Sequence, residues 1–424
     1  MIIHVVQPGD TLHRIGTQYG ITLKQLMEDN QLSDPNRLVV GQTLVVMPSQ
    51  NFHIVRPGDT IYSIAQSYGL TPQDILGANL HITNPSVVRT GQRLNLPIIK
   101  RCKDLIVNGY CFPDVDPETL NTSLPHLTYL SIFSYKVLPD GGLAAIDDSP
   151  TIREARQVFV QPKMVITNTL EGGKFDSGLA HTVLGSGDIQ YALLNTIMAT
   201  LEEKQYNGLD VDFECLYPED RENYNTFLER ARNFLHSKGY TLSTAIAPKF
   251  TAGQPGLLYE AHDYSFHGQA ADEVILLTYE WGYLYGPPMA VAPIDQVRRV
   301  VEYAVTEIPP EKILMGIPNY GYDWTLPYVQ GTPARVISNP EAVEIAYMNG
   351  ADIQYDSVAQ SPYFHYADRE NRKHVVWFED ARSIYAKMRL VSEFNLEGVS
   401  YWTVNDYFPQ NWLVASSLFD IVKR

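Results

Sequence analysis

Two patterns of apolar and polar positions divide this chain near residue 100. Beyond that point, short runs rich in β-branched and aromatic residues alternate with longer stretches whose apolar positions recur every three or four residues. The runs are Leu105 to Phe112, Tyr129 to Tyr135, Lys163 to Asn168, Gly208 to Glu214, Thr241 to Pro248, Val274 to Tyr279, Ile313 to Pro318 and Gly398 to Thr403. Helical stretches such as Ile189 to Gln205 and Asp220 to Lys238 sit between consecutive runs. Eight strand candidates separated by helices predict an α/β fold, a (β/α)8 barrel over residues 100–424. One gap, from Asp323 to about His374, is too long for a single crossover and holds strand-like pieces of its own. It reads as a small α+β insertion over about 323–374, before the last helix and strand.

The fourth run carries an unusual polar pattern. Asp210, Asp212 and Glu214 alternate with Val211 and Phe213, so in a strand the three acids share one face while Leu209, Val211 and Phe213 share the other. Three like charges within about 13 Å cannot all ionise cheaply, so at least one is expected to keep its proton near neutral pH. A protonated carboxyl beside ionised ones suits acid-catalysed glycoside cleavage. The alternatives are a solvated strand face and an oxygen-ligand cation site. The apolar opposite face argues against the first, and Trp402 in the last run favours sugar chemistry over the second, so neither a metal nor a cofactor is expected. At the C-terminal end of a fourth barrel strand, Glu214 would stand at the mouth with Asp212 and Asp210 progressively deeper.

The first hundred residues are a tandem duplication. His4-Val5-Val6-Gln7-Pro8-Gly9-Asp10-Thr11-Leu12 recurs as His53-Ile54-Val55-Arg56-Pro57-Gly58-Asp59-Thr60-Ile61, and Gly41-Gln42 recurs as Gly91-Gln92. Each copy, 1–48 and 52–98, predicts strand, Pro-Gly-Asp turn, two short helices and a second strand. Thr11 and Thr60 occupy helix N-cap positions, and Ile15, Tyr19, Ile64 and Tyr68 recur at the spacing of a buried helix face. The links Pro48 to Asn51 and Pro97 to Lys103 are short, so the copies are expected to pack on each other or on the barrel.

These copies resemble LysM modules, small βααβ units that bind N-acetylglucosamine-containing glycans. The resemblance implies a sugar groove around Gly9, Asp10 and Thr11 in the first copy and Gly58, Asp59 and Thr60 in the second. Asp10 and Asp59 fit a helix cap as readily as a ligand contact, and the Pro-Gly pair fits a turn alone. The acidic run, in turn, resembles the D-x-x-D-x-D-x-E signature of glycoside hydrolase family 18, with Asn207 where the family has its first Asp. Residue 207 has the opposite strand parity, so that departure is expected to point away from the chemistry. The resemblance implies a retaining reaction in which the substrate's 2-acetamido group attacks the anomeric carbon. It implies Glu214 as general acid and then base, Asp212 as partner of the acetamido N–H, and Asp210 as a group holding a proton with Asp212. It further implies Tyr279 as donor to the acetamido carbonyl and Trp402 as the floor under the sugar. Glu280 stands where the family more often has Asp or Asn. Tyr110, Asn319 and Tyr320, at the ends of the first and seventh runs, line the cleft or serve simply as rim residues.

Composition narrows the setting. A formal net charge of −16 argues against a nucleic-acid partner, and no apolar run reaches the length of a membrane span. Cys102, Cys111 and Cys215 lack metal-ligand spacing, and a Cys102–Cys111 bridge is allowed but not implied. The start Met1-Ile2-Ile3-His4 lacks the pattern of a secretory signal, so export through that route is not expected. Two glycan-binding copies ahead of the barrel resemble the layout of spore cortex-lytic N-acetylglucosaminidases of endospore-forming bacteria. That likeness implies a peptidoglycan substrate, a place in the coat and cortex region of the spore, and coat proteins as partners. Chitin as substrate, or a silent glycan-binding coat protein, remain the other readings of the same motifs.

Overall fold

The computed structural model describes residues 1–47, 52–68, 70–79, 82, 88–96 and 104–424. Eight parallel strands stand at its centre: β1 (Asp104–Cys111), β2 (Tyr129–Lys136), β3 (Gln161–Thr167), β4 (Gly208–Asp212), β5 (Thr241–Ile246), β6 (Glu273–Leu276), β7 (Ile313–Pro318) and β8 (Gly398–Trp402). They pair in chain order, and β8 pairs with β1 as well as with β7, which closes the barrel. All eight predicted runs are strands. Their side chains are buried on both faces, which is why the runs read as nearly continuous apolar stretches. Outward-facing Leu209, Val211 and Phe213 join one core cluster with Leu194, Ile197, Phe227 and Leu228 from the helices Gly187–Lys204 and Arg221–His236. Inside, Ile106, Val165, Ala245, Ile275 and Leu314 fill the barrel, and Asn108 links Ser400 and Ser131 across it by hydrogen bonds of 2.9 Å each.

The insertion is a five-stranded antiparallel sheet with one helix, Asn339–Met348. Its first strand is Tyr320–Leu326 and its last is Lys373–Trp377, so it spans 320–377 and not 323–374. Only Asn319 separates β7 from that first strand, and no turn signal marks the boundary in the sequence.

The two repeats fold as expected but meet different surroundings. In the first, Ile2–Val5 pairs with Thr43–Val46; in the second, Phe52–Ile54 pairs with Arg93–Asn95. Every residue of Thr43–Val46 is buried, and Val45 belongs to the barrel's own core cluster. Gln410 bonds the side chain and carbonyl of Thr43 at 2.8 and 2.7 Å, Ile353 N–H donates to Val40 at 2.9 Å, and Arg37 pairs with Glu344 of the insertion helix. A Cβ on Gly41 would lie 1.8 Å from the Ile353 carbonyl oxygen, whereas one on Gly91 would meet nothing within 4 Å. In the second copy, Arg93 and Asn95 are exposed, and Arg56 reaches the first copy by lying over the Tyr19 ring. The two links and Cys102, with the bridge it was expected to allow, lie outside the described residues; Cys111 is a buried free thiol.

Candidate active site

At the mouth of the barrel, the inward face of β4 presents the acids in the predicted order. Asp210 is fully buried and held from two sides: Tyr110 Oη of β1, across the barrel, donates to Oδ2 at 2.5 Å and Ser243 Oγ of the adjacent β5 donates to Oδ1 at 2.8 Å. Asp212 ends the strand, and its Oδ1 is buried without a hydrogen-bond partner among the described residues. Glu214 lies just beyond the strand and lines a cavity of about 420 Å³ together with Asp212, Tyr110, Tyr279, Glu280 and Trp402. Asn207, of opposite parity, accepts from Arg156 on the outside of the barrel at 3.3 Å.

Burial and charge act together on this row. Desolvation holds Asp212 well above the usual carboxylate range, with the neighbouring Glu214 and Asp210 adding to the effect. Desolvation also raises Glu214 to about 7, with a further contribution from Glu280. Asp210 is raised by burial against the opposing pull of the Tyr110 hydrogen bond and Lys163. Burial is the largest cause for all three, and the crowding within the row read from the sequence is felt at Asp212. Such a row titrates as a group.

Aromatic side chains shape the cavity. The Trp402 ring packs edge-on against Phe133 at 4.8 Å and also contacts Tyr110 at 5.4 Å and Phe112 at 5.9 Å. Tyr279 fits because the facing residue is Gly316; a Cβ there would lie 2.8 Å from Tyr279 Cε1. Burial raises the Tyr279 phenol far from neutrality, so the hydroxyl remains a donor. Glu280 stands at the rim, where Tyr320 and Tyr322 both donate to its Oε1. Two expectations need correction. Asn319 is buried and braces the segment after β8, donating to Thr403 O and Asp406 O at 2.9 and 2.6 Å, and it does not line the cavity. Tyr320 belongs to the insertion, where it donates to Glu280 and shares an apolar cluster against which Tyr279 and Trp402 pack. Ser243, Phe133 and Tyr322 were missed, although the inward parity of Ser243 on β5 was legible.

In the repeats, Gly9 and Gly58 sit in the turn with φ of +84° and +88°, a conformation that favours glycine, and both are exposed. Thr11 and Thr60 cap their helices by accepting from Arg14 N and Ser63 N. Asp10 Oδ2 accepts from Gln7 N at 2.8 Å and lies 3.1 Å from His4 Nε2; Asp59 repeats this with Arg56 N and His53 at 2.8 and 2.7 Å. Neither Asp caps a helix; each carboxylate ties the turn to the first strand.

Residues 161–406 match the sequence profile of glycosyl hydrolases family 18, and residues 4–46 and 53–97 match that of the LysM domain. The chain belongs to glycosyl hydrolases family 18. It is 46% identical to the cortical fragment-lytic enzyme of Bacillus subtilis (strain 168), over 100% of this chain and 99% of that protein. Among solved structures, the spore cortex-lytic enzyme SleL of Bacillus megaterium QM B1551 superposes with a TM-score of 0.88 at 39% identity, covering 100% of this chain and 99% of the other. SleL of Bacillus cereus superposes with a TM-score of 0.90 at 38% identity, covering 99% and 98%. The family 18 match begins at β3, so Tyr110 and Phe133 join the site on structural grounds. Membership makes the chain a glycoside hydrolase carrying two LysM domains. Among the described residues, no three His, Cys, Asp or Glu side chains are placed to hold a metal ion, and no helix is long and apolar enough to cross a membrane.

Proposed function

We propose that this hydrolase is a retaining β-N-acetylglucosaminidase that cleaves cortical peptidoglycan fragments in the bacterial spore. The observation that carries the reading is the placement of Glu214 on the wall of an aromatic cavity beside Asp212, where burial pushes its carboxyl up to about 7 and holds Asp212 well above the usual carboxylate range. A carboxyl so poised donates a proton to the leaving oxygen and then takes one from water. Asp212 and the neutral Tyr279 hydroxyl would align the substrate's acetamido group for attack on the anomeric carbon, and Asp210, anchored by Tyr110 and Ser243, would hold Asp212 in place and share its protons. Trp402 offers an apolar face beneath the sugar ring.

The names of the relatives supply the substrate: proteins matching end to end act on spore cortex or its fragments. The LysM pair would hold the enzyme on the glycan and raise its local concentration. Product analysis on purified cortical fragments, run beside chitin oligomers, tests this. Release of N-acetylglucosamine-ended products from the fragments supports the reading. Cleavage of chitin alone would make the chain a chitinase, and no cleavage of either would leave a glycan-binding coat protein.

A further inference from the structure

The ladder that carries the acids stops short of Glu214. β4 ends at Asp212, whose last pairing is with Thr167 of β3, and on the other flank pairing ends at Val211 opposite Thr244. The next three peptide groups are nonetheless held. His262 Nε2 bonds the Phe213 carbonyl at 3.0 Å. Asn168 Nδ2 donates to the Glu214 carbonyl at 2.9 Å, and its Oδ1 accepts from Glu214 N at 2.9 Å. Ser177 Oγ donates to the carbonyl of Cys215, which turns the chain at a φ of +56°. Three consecutive carbonyls thus each accept from a different side chain.

The protons are fixed by the partners. Ala247 N–H donates to His262 Nδ1 at 3.0 Å, so Nδ1 is the acceptor and Nε2 carries the hydrogen given to Phe213. The imidazole therefore stands between the backbone following β5 and the backbone following β4, where a direct ladder bond would otherwise run. Burial holds His262 down at about 4, which keeps it neutral at the pH of the reaction. On the β3 side, Asn168 does the same with its amide and also donates to Asp176 O at 3.1 Å, tying in the following loop. An amide and an imidazole are wider than a direct N–H···O=C bond. They bridge the gap beyond the ladder and give the carbonyls of Phe213 and Glu214 and the Glu214 N–H their partners.

We infer that Asn168 and His262 are positioning residues of the reaction, spacers that replace the strand ladder around residues 213–214 and fix where the Glu214 carboxyl stands above Asp212. Neither hydrogen-bonds the cavity-facing carboxyl; Asn168 acts through the Glu214 backbone and His262 through the preceding carbonyl of Phe213. This rests on Glu214 being the general acid. A misplacement of about 1 Å in such a group lowers turnover by about 10²-fold without removing any reacting atom.

The test uses the full chain, with cortical fragments as substrate and reducing ends as readout. Asn168→Asp keeps the size of the side chain and the acceptor for Glu214 N–H but loses the donor to its carbonyl; Asn168→Ala loses both. The expected result is a drop in kcat of about tenfold or more for Asn168→Asp and about 10²-fold for Asn168→Ala, with KM within about threefold, at temperatures where both variants are folded. A purely structural role would lower the melting temperature and leave kcat per folded molecule unchanged, and that outcome overturns the inference. His262→Asn, which keeps a donor amide, should fall between wild type and Asn168→Ala. Glu214→Gln is measured in parallel: if it retains activity, the assignment of the acid fails; if it is inactive while Asn168→Asp and Asn168→Ala keep wild-type kcat, only the spacer role fails.

Discussion

Near the N-terminal ends of the barrel strands, buried Glu273 accepts from Lys163 Nζ at 2.9 Å and from Tyr129 Oη at 2.8 Å, and Arg424 from the end of the chain lies 3.8 Å away. At the opposite end, Asp212 is as deeply buried and Glu214 stands half-buried on the cavity wall, and among the described residues no ion pair includes either one. The lower carboxylate meets a cation in the interior, and the pair is part of a fixed structure. The upper ones meet each other, the like charge of Glu280 and a largely aromatic wall. No cation compensates their burial, which holds Asp212 well above the usual carboxylate range and pushes Glu214 up to about 7, where a proton can be given and taken near neutral pH. Asp210 stands between the two regimes, with hydroxyl partners and the distant pull of Lys163.

Substitutions at the two ends should separate these roles. The largest loss is expected for Glu214→Gln: kcat on cortical fragments falls by about 10²–10⁴-fold while KM changes little. Stability should respond in the other direction. Because Glu214 rises from 4.5 to about 7 on folding, its contribution is fully present below pH 4.5 and is lost as pH rises toward 7; Glu214→Gln removes that part of the decline, seen as a flatter melting temperature between those pH values. At the other end, Lys163→Met leaves Glu273 buried without its cation and should lower unfolding free energy by about 3–5 kcal/mol in urea, with kcat per folded molecule close to wild type. Tyr279→Phe removes a donor at the mouth and should lower kcat by about 10²-fold with little change in melting temperature. The smallest effect is expected at the rim: Glu280→Gln removes a charge that raises Glu214, so the alkaline limb of the pH profile should shift to lower pH.

Much of this was legible because period and parity are local properties. The eight runs, the inward order of Asp210, Asp212 and Glu214, and the outward Asn207 follow from alternation along single strands. Long-range pairings were not legible. Tyr110 and Asn319, both expected to line the cleft or serve as rim residues, make distant contacts: Tyr110 anchors Asp210, 100 positions away, and Asn319 braces the segment after β8. The duplication was plain in the sequence, but the docking of only one copy was not. In retrospect Val45 against Asn95, and Thr43 against Arg93, record which copy has a covered strand. Asn168 and His262 gave no signal at all, because nothing in a sequence marks where a strand ladder will stop short of the residue it must position.

The pH dependence of kcat/KM on cortical fragments tests the central claim most directly, since it reports the ionisations of the free enzyme. An alkaline limb centred near pH 7 is the result expected if Glu214 must enter the reaction protonated. A limb in the ordinary carboxyl range, near pH 4.5, would contradict it.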